Sequence, residues 1–170
     1  MIIMGVDPGS QIMGVAIIRD DPKLVCMEIN AHILGHNKPR NQRLLEISEI
    51  IVRYLDLYNP DVLAIEDQYV GCNRRGSLHL AEAKGAVNME AYKRHIPLIE
   101  YAPSTVKKSA TGSGDAGKPD VKNFVSGIFR INLDRLPFDA SDALAIALCH
   151  SNKSRGEQQT KQAIEIQWRK

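Results

Sequence analysis

Residues 2–18, IIMGVDPGSQIMGVAII, limit the possible folds more than any other stretch of the chain. Two short apolar runs, 2–6 and 13–18, flank Asp7-Pro8-Gly9-Ser10, and they read as two buried strands joined by a turn. Asp, Pro and Gly are the usual turn formers, so Asp7 has a purely structural reading as a hairpin residue. It also has a chemical one. A carboxylate where a buried strand would continue apolar is costly unless partnered, which places Asp7 at a strand end facing a cation or a phosphate. The residues alone leave both readings open, because turns and sites draw on the same residue types.

A third strand with partial alternation fits 24–34 (LVCMEINAHIL), completing an antiparallel meander. Leu44, Ile47, Ile51, Leu55 and Tyr58 follow helical spacing over 41–58, and Pro60 closes that helix. VLAIE at 62–66 reads as a short buried strand, and 77–94 as a helix with Ser77 as its N-cap. The row Ala81, Gly85, Met89 lies along that helix, and a glycine in a helix interior, costing about 1 kcal/mol, implies close packing against it. LIEYA at 98–102 is a strand, TGSGDAGK at 111–118 a loop, and 120–131 and 139–150 are helices. The order βββαβαβ followed by helices predicts an α/β fold, a mixed five-stranded sheet with helices on both faces. No repeat or linker divides the chain. One domain over 1–150 and a polar tail over 151–170 are expected, with the IEIQW segment either docked or disordered.

A chain of 170 residues, 44% of them hydrophobic, is long enough to bury a core without staples. Cys26, Cys72 and Cys149 are odd in number and widely spaced, so neither a disulfide framework nor a zinc knuckle is expected. With no basic leader and no long apolar run, the expected setting is soluble and cytoplasmic, with no membrane partner. The net charge of +2 conceals an asymmetry. Residues 1–70 carry 6 basic and 10 acidic residues, 71–130 carry 10 and 5, and 131–170 carry 6 and 5. An acidic block beside a basic one is what a metal site facing a polyanion needs, and a solvated surface also produces it.

Four acids stand in unusual places. Asp7 and Glu66 end strands, while Asp139 and Asp142, three apart, share one face of a helix at its first turn. Asp139 and Asp142 also fit a variant of the capping box. Taken together, four carboxylates can hold one or two hard divalent cations such as Mg²⁺, and two such ions can drive phosphodiester cleavage. The histidines, His32, His36, His79, His95 and His150, are scattered and offer no rival site.

GVDPGSQIMGVAII, AIEDQY, LAEAKGA, GSGDAGK and DASDALAIALCH resemble, in order and spacing, segments of the RuvC family of Holliday junction resolvases. The resemblance implies an RNase H-like nuclease domain over 1–150 and a homodimeric, Mg²⁺-dependent endonuclease, with Mn²⁺ able to substitute, making paired nicks across a four-way DNA junction. By motif, its catalytic and metal-binding carboxylates fall on Asp7, Glu66, Asp139 and Asp142, and its functional lysines on Lys107 and Lys118. The arginines of CNRRGS and the tail beyond 150 depart from the family pattern, as in a divergent, phage-type member. They leave open both the selectivity for four-way junctions and a partnership with a branch-migration motor.

Lys and Arg supply most nucleic-acid affinity by displacing counterions. Arg74, Arg75, Lys84, Lys108 and Lys122 join Lys107 and Lys118 as candidates for contacting DNA, each with a plain reading as a solvated surface charge. Tyr69, between Glu66 and the two arginines, is placed either to stack on a base unpaired at a branch or to pack on the domain edge. Three rival functions fit part of the pattern. Asp7-x-Gly9-Ser10 before a hairpin also resembles the phosphate loop of actin-like kinases, which need two such domains. A non-catalytic branched-DNA-binding module and a related nuclease acting on structured RNA complete the alternatives.

Overall fold

The computed structural model describes all residues except 36, 68–73 and 169–170, and the backbone alone at 74–75 and 158–168. Five strands, β1 (Ile2–Asp7), β2 (Ile12–Arg19), β3 (Val25–Ile33), β4 (Val62–Glu66) and β5 (Leu98–Tyr101), form one sheet in the order β3-β2-β1-β4-β5. The first three pair antiparallel, and β4 and β5 extend the sheet parallel to β1. The expected mixed sheet with helices on both faces is what forms. Helices α1 (Arg40–Tyr58) and α2 (Arg74–Lys93) cover one face, and α3 (Pro103–Thr111), α4 (Lys118–Phe129) and α5 (Phe138–Trp168) the other.

Because side chains alternate along a strand, each central strand serves two cores. Met4, Val6, Met13, Val15, Ile17, Leu63 and Ile65 point toward α1 and α2, where Ile47, Ile51 and Leu55 meet them. Ile3, Ala16, Ile18, Val62 and Ala64 point toward α3, α4 and α5. Both faces being covered explains the near-continuous apolar run of β1 and β2. α5 is buried on every side from Ala140 to Cys149 except at Asp142, which explains why ALAIALC shows no polar stripe.

α5 comes unusually close to the sheet. A Cβ on Gly5 would lie 2.2 Å from the Ala143 carbonyl oxygen, and one on Gly14 1.8 Å from that of Asp139. Gly5 and Gly14 share the face that also carries Asp7, so the helix start is pressed against the strand end where the carboxylate stands.

One helix is new and three sequence expectations change. α3 was not foreseen: Pro103 at its first turn is a helix starter, and the short polar run SATG after it masks the pattern. α2 begins at Arg74, so Ser77 is inside the helix rather than its cap, the arginines being good helix formers. Among the described residues nothing lies within 4 Å of a Cβ built on Gly85, so they do not supply the expected close packing. The helix expected to end at 150 continues to Trp168, because Lys, Arg, Glu and Gln extend a helix as readily as apolar residues do. Arg155 on this extension pairs with Asp20 at the β2–β3 corner and donates to its carbonyl oxygen at 3.1 Å.

Candidate active site

Asp7 and Glu66 end adjacent parallel strands, with Val6 opposite Ile65 one residue earlier, and by alternation both project toward the α5 face. Asp142, on the first turns of α5, is carried to them by the close helix–sheet approach at Gly5 and Gly14. These three carboxylates line one cavity of about 200 Å³ with Lys107 of α3 and Lys118 of α4, walled by Pro103, Val106, Val121 and Ala145. Elements far apart in sequence thus converge at the carboxyl ends of β1 and β4.

The cavity holds more negative charge than its own cations offset. Burial, followed by the charges of Asp142, Glu66 and Asp139, raises Asp7 to about 7 against the opposing pull of Lys118. Burial and then Asp142 raise Glu66 above the ordinary carboxylate range, while Lys118 and Lys107 pull it down. Burial works to lower Lys118, but its hydrogen bond to Asp142 Oδ2 at 2.6 Å and the charges of Asp142, Asp7 and Asp139 hold it above the usual lysine value. Asp139 does not line the cavity, yet its charge reaches Asp7.

Among the described residues, no three His, Cys, Asp or Glu side chains are grouped closely enough to hold a metal ion as they stand. One oxygen of Asp142 is engaged by the Lys118 ammonium. The donor set nevertheless fits a hard divalent cation: it is all carboxylate, and the raised Asp7 marks an uncompensated charge that a cation would offset. Mg²⁺ keeps several waters and needs few protein ligands, so a complete protein cage is not required.

The other candidates separate. Lys84 forms ion pairs with Asp67 and Glu100, and Lys122 donates to the Leu136 carbonyl and stands over the Phe138 ring, so both are engaged within the fold. Lys108 is exposed on α3, outside the carboxylate cavity. Arg74 and Arg75 open α2, their side chains outside the described residues, and Tyr69 also lies outside them. The cavity walls on α3 were missed with the helix itself, although Pro103, three residues before Val106, was a usable start signal.

A model of the family described as Crossover junction endodeoxyribonuclease RuvC matches residues 3–150. The chain belongs to the RuvC family. The RuvC of Salinibacter ruber (strain DSM 13855 / M31) is 36% identical over 156 residues, covering 90% of this chain and 86% of its own. The Thermus thermophilus RuvC structure superposes with a TM-score of 0.83 at 27% identity, over 92% of this chain and 97% of that one. T. thermophilus RuvC in complex with Holliday junction substrate gives 0.82 at 25% identity, over 91% and 96%. The RNase H-like architecture expected from the motifs is therefore the family's own, and all five motif segments lie within the matched span. No helix among the described residues is long and apolar enough to cross a membrane.

Proposed function

We propose that this chain is a divalent-metal-dependent endonuclease that resolves four-way DNA junctions by paired, symmetric nicks. The observation that carries the reading is the single cavity in which Asp7, Glu66 and Asp142 meet Lys107 and Lys118, in a chain of the RuvC family. The similarity to a RuvC solved with Holliday junction substrate supports the choice of DNA.

In this reading Asp7, Glu66 and Asp142, with Asp139 beside them, hold Mg²⁺, with Mn²⁺ able to substitute. When bound, the metal activates water and stabilises the departing oxygen of the phosphodiester. The protein's own groups prepare the site. Apolar walls from Val106, Val121 and Ala145 keep the charges in a low dielectric, where each is felt strongly. Lys118 exchanges its carboxylate partner for the scissile phosphate, and Lys107 adds a second positive charge on the α3 side. The acidic surroundings keep Lys118 cationic, so it meets the phosphate as a charge.

Two nicks related by symmetry call for two sites related by symmetry, hence a homodimer. The face of α2 offers the surface: Met89 is 55% and Tyr92 78% exposed, and they line a hollow of about 690 Å³ with Gly85, Ile96, Pro97 and Leu98. A second copy of α2 would supply the close neighbour that Gly85 lacks among the described residues.

The test is digestion of labelled four-way, three-way and linear DNA, and of structured RNA, in Mg²⁺, Mn²⁺ or EDTA. Symmetric nicks at the four-way junction, dependent on metal and lost in Asp7→Asn, are expected. A junction shifted in gels but never cut would assign the chain to a binding role, and preferential cutting of RNA to another substrate.

A further inference from the structure

Helix α3 stands between two hollows. Pro103, Val106 and Lys107 face the carboxylate cavity, whereas Ser104, Thr105, Lys108 and Ser109 line a separate groove of about 550 Å³ closed on its far side by Asn152 and Lys153 of α5. The groove lining contains two lysines, three hydroxyls and an amide, and neither a carboxylate nor an aromatic ring. Its walls are tied together: Asn152 Nδ2 donates to Ser109 Oγ at 3.1 Å, and Gly112 at positive φ caps α3 by donating to the Lys108 carbonyl. Lys108 and Lys153 are exposed, and among the described residues neither has an ion-pair partner, in contrast to Lys84, which is neutralised by two carboxylates.

We infer that this groove holds the sugar–phosphate backbone of a substrate DNA arm, on the far side of α3 from the phosphate to be cut. The inference rests on the proposed nuclease reading and extends it to a site built from α5 as well as α3. Lysines, hydroxyls and an amide, with no carboxylate to repel an anion and no ring to stack on a base, are suited to phosphate and sugar oxygens rather than to base edges or unstacked bases. A helix with its side chains is about 10 Å across, and one DNA strand rises about 3.4 Å per nucleotide, so the groove meets the arm about three base pairs from the cleavage position. Its role is positional: it sets how far along the arm the carboxylate cavity falls, with no preference for sequence.

The experiment measures junction binding by anisotropy across a salt series in EDTA, for the wild type and Lys108→Ala/Lys153→Ala. Two lost phosphate contacts should reduce the slope of log K against log salt by about 2. Affinity at about 0.1 M salt should drop ten-fold or more, and at saturating protein the mapped nicks should spread to neighbouring positions along the arm. Arg19→Ala/Lys23→Ala, at the opposite end of the sheet from Asp7, removes the same charge and should leave the slope nearly unchanged. Lys108→Arg/Lys153→Arg should restore the wild-type slope. An unchanged slope in the alanine variant, or an equal change in the control, overturns the groove assignment. So does inorganic phosphate that raises the wild-type melting temperature through these lysines while junction affinity stays the same in both proteins, which indicates a small-anion site. If the wild type neither prefers nor cuts junctions but its slope on linear DNA still depends on the two lysines, the nuclease reading fails and the backbone groove stands.

Discussion

Asp7 concentrates the conflict between stability and chemistry. In the folded chain it holds its proton up to about pH 7, whereas in the unfolded chain it releases it near 3.8, so its contribution to stability falls as pH rises through that window. Each tenfold change in proton affinity is worth ~1.4 kcal/mol, which sets an upper bound of ~4 kcal/mol on the strain at pH 8. Asp7→Asn should therefore stabilise the metal-free protein by about 2 kcal/mol at pH 8 and by much less at pH 4, measured by thermal or urea unfolding in EDTA. Mg²⁺ should raise the melting temperature of the wild type and leave the variant unmoved, since only a native state that binds the ion is stabilised by it. The same substitution should abolish cleavage. Activity above about a tenth of the wild type, less than ~1.4 kcal/mol in the barrier, would remove Asp7 from the site.

Among the elements, α5 decides most. Its start reaches the carboxylates because Gly5 and Gly14 have no side chain under it, so Gly14→Ala must push the Asp139 carbonyl away from a position 1.8 Å from the new carbon. Overpacking of this kind costs about 1–3 kcal/mol. The shift also moves Asp139 and Asp142, so cleavage should drop further than the loss of folded protein accounts for, as activity per folded molecule would show. Its far end has a different duty. Arg155 reaches back to Asp20, whose side chain is only 6% exposed, so Arg155→Ala leaves a buried carboxylate without its cation and should cost about 1–3 kcal/mol in urea unfolding. A loss below about 0.3 kcal/mol would mean that this end of the helix is not anchored there.

At the scale of the whole molecule, the open space over Gly85 separates two outcomes of adding side chain to α2. Gly85→Ala meets nothing among the described residues and improves helix propensity, so a lone protomer should gain about 1 kcal/mol. If α2 is where two copies meet, Gly85→Leu should instead weaken the dimer, and Met89→Asp should yield monomers by light scattering at micromolar concentration. Those monomers should nick one strand of a junction without the paired second cut. Paired cutting by a strict monomer would rule out the symmetric assembly.

β1, β2 and β4 were legible in the sequence because a strand buried on both faces is an unbroken apolar run, and Asp7 and Glu66 stand out as the residues that break such runs. Their pairing was not legible from the residues alone. Asp7 keeps its turn chemistry as well, since Gly9 N–H donates to its carbonyl oxygen at 3.0 Å, so the two readings of that residue are compatible. Only the tertiary structure brings Glu66 beside Asp7, through the parallel register of β1 and β4, and Asp142 onto both, through a helix seated on two glycines. It likewise separates the lysines, which are equivalent as letters: Lys118 meets Asp142, Lys84 is neutralised by Asp67 and Glu100, and Lys107 and Lys108 line different hollows on either side of α3, a helix signalled in the sequence only by Pro103. Local residue type determines which segments are strands and which carboxylates are out of place. Which charges share a cavity depends on approach distances between segments remote in sequence, and these exist only once the layers have packed.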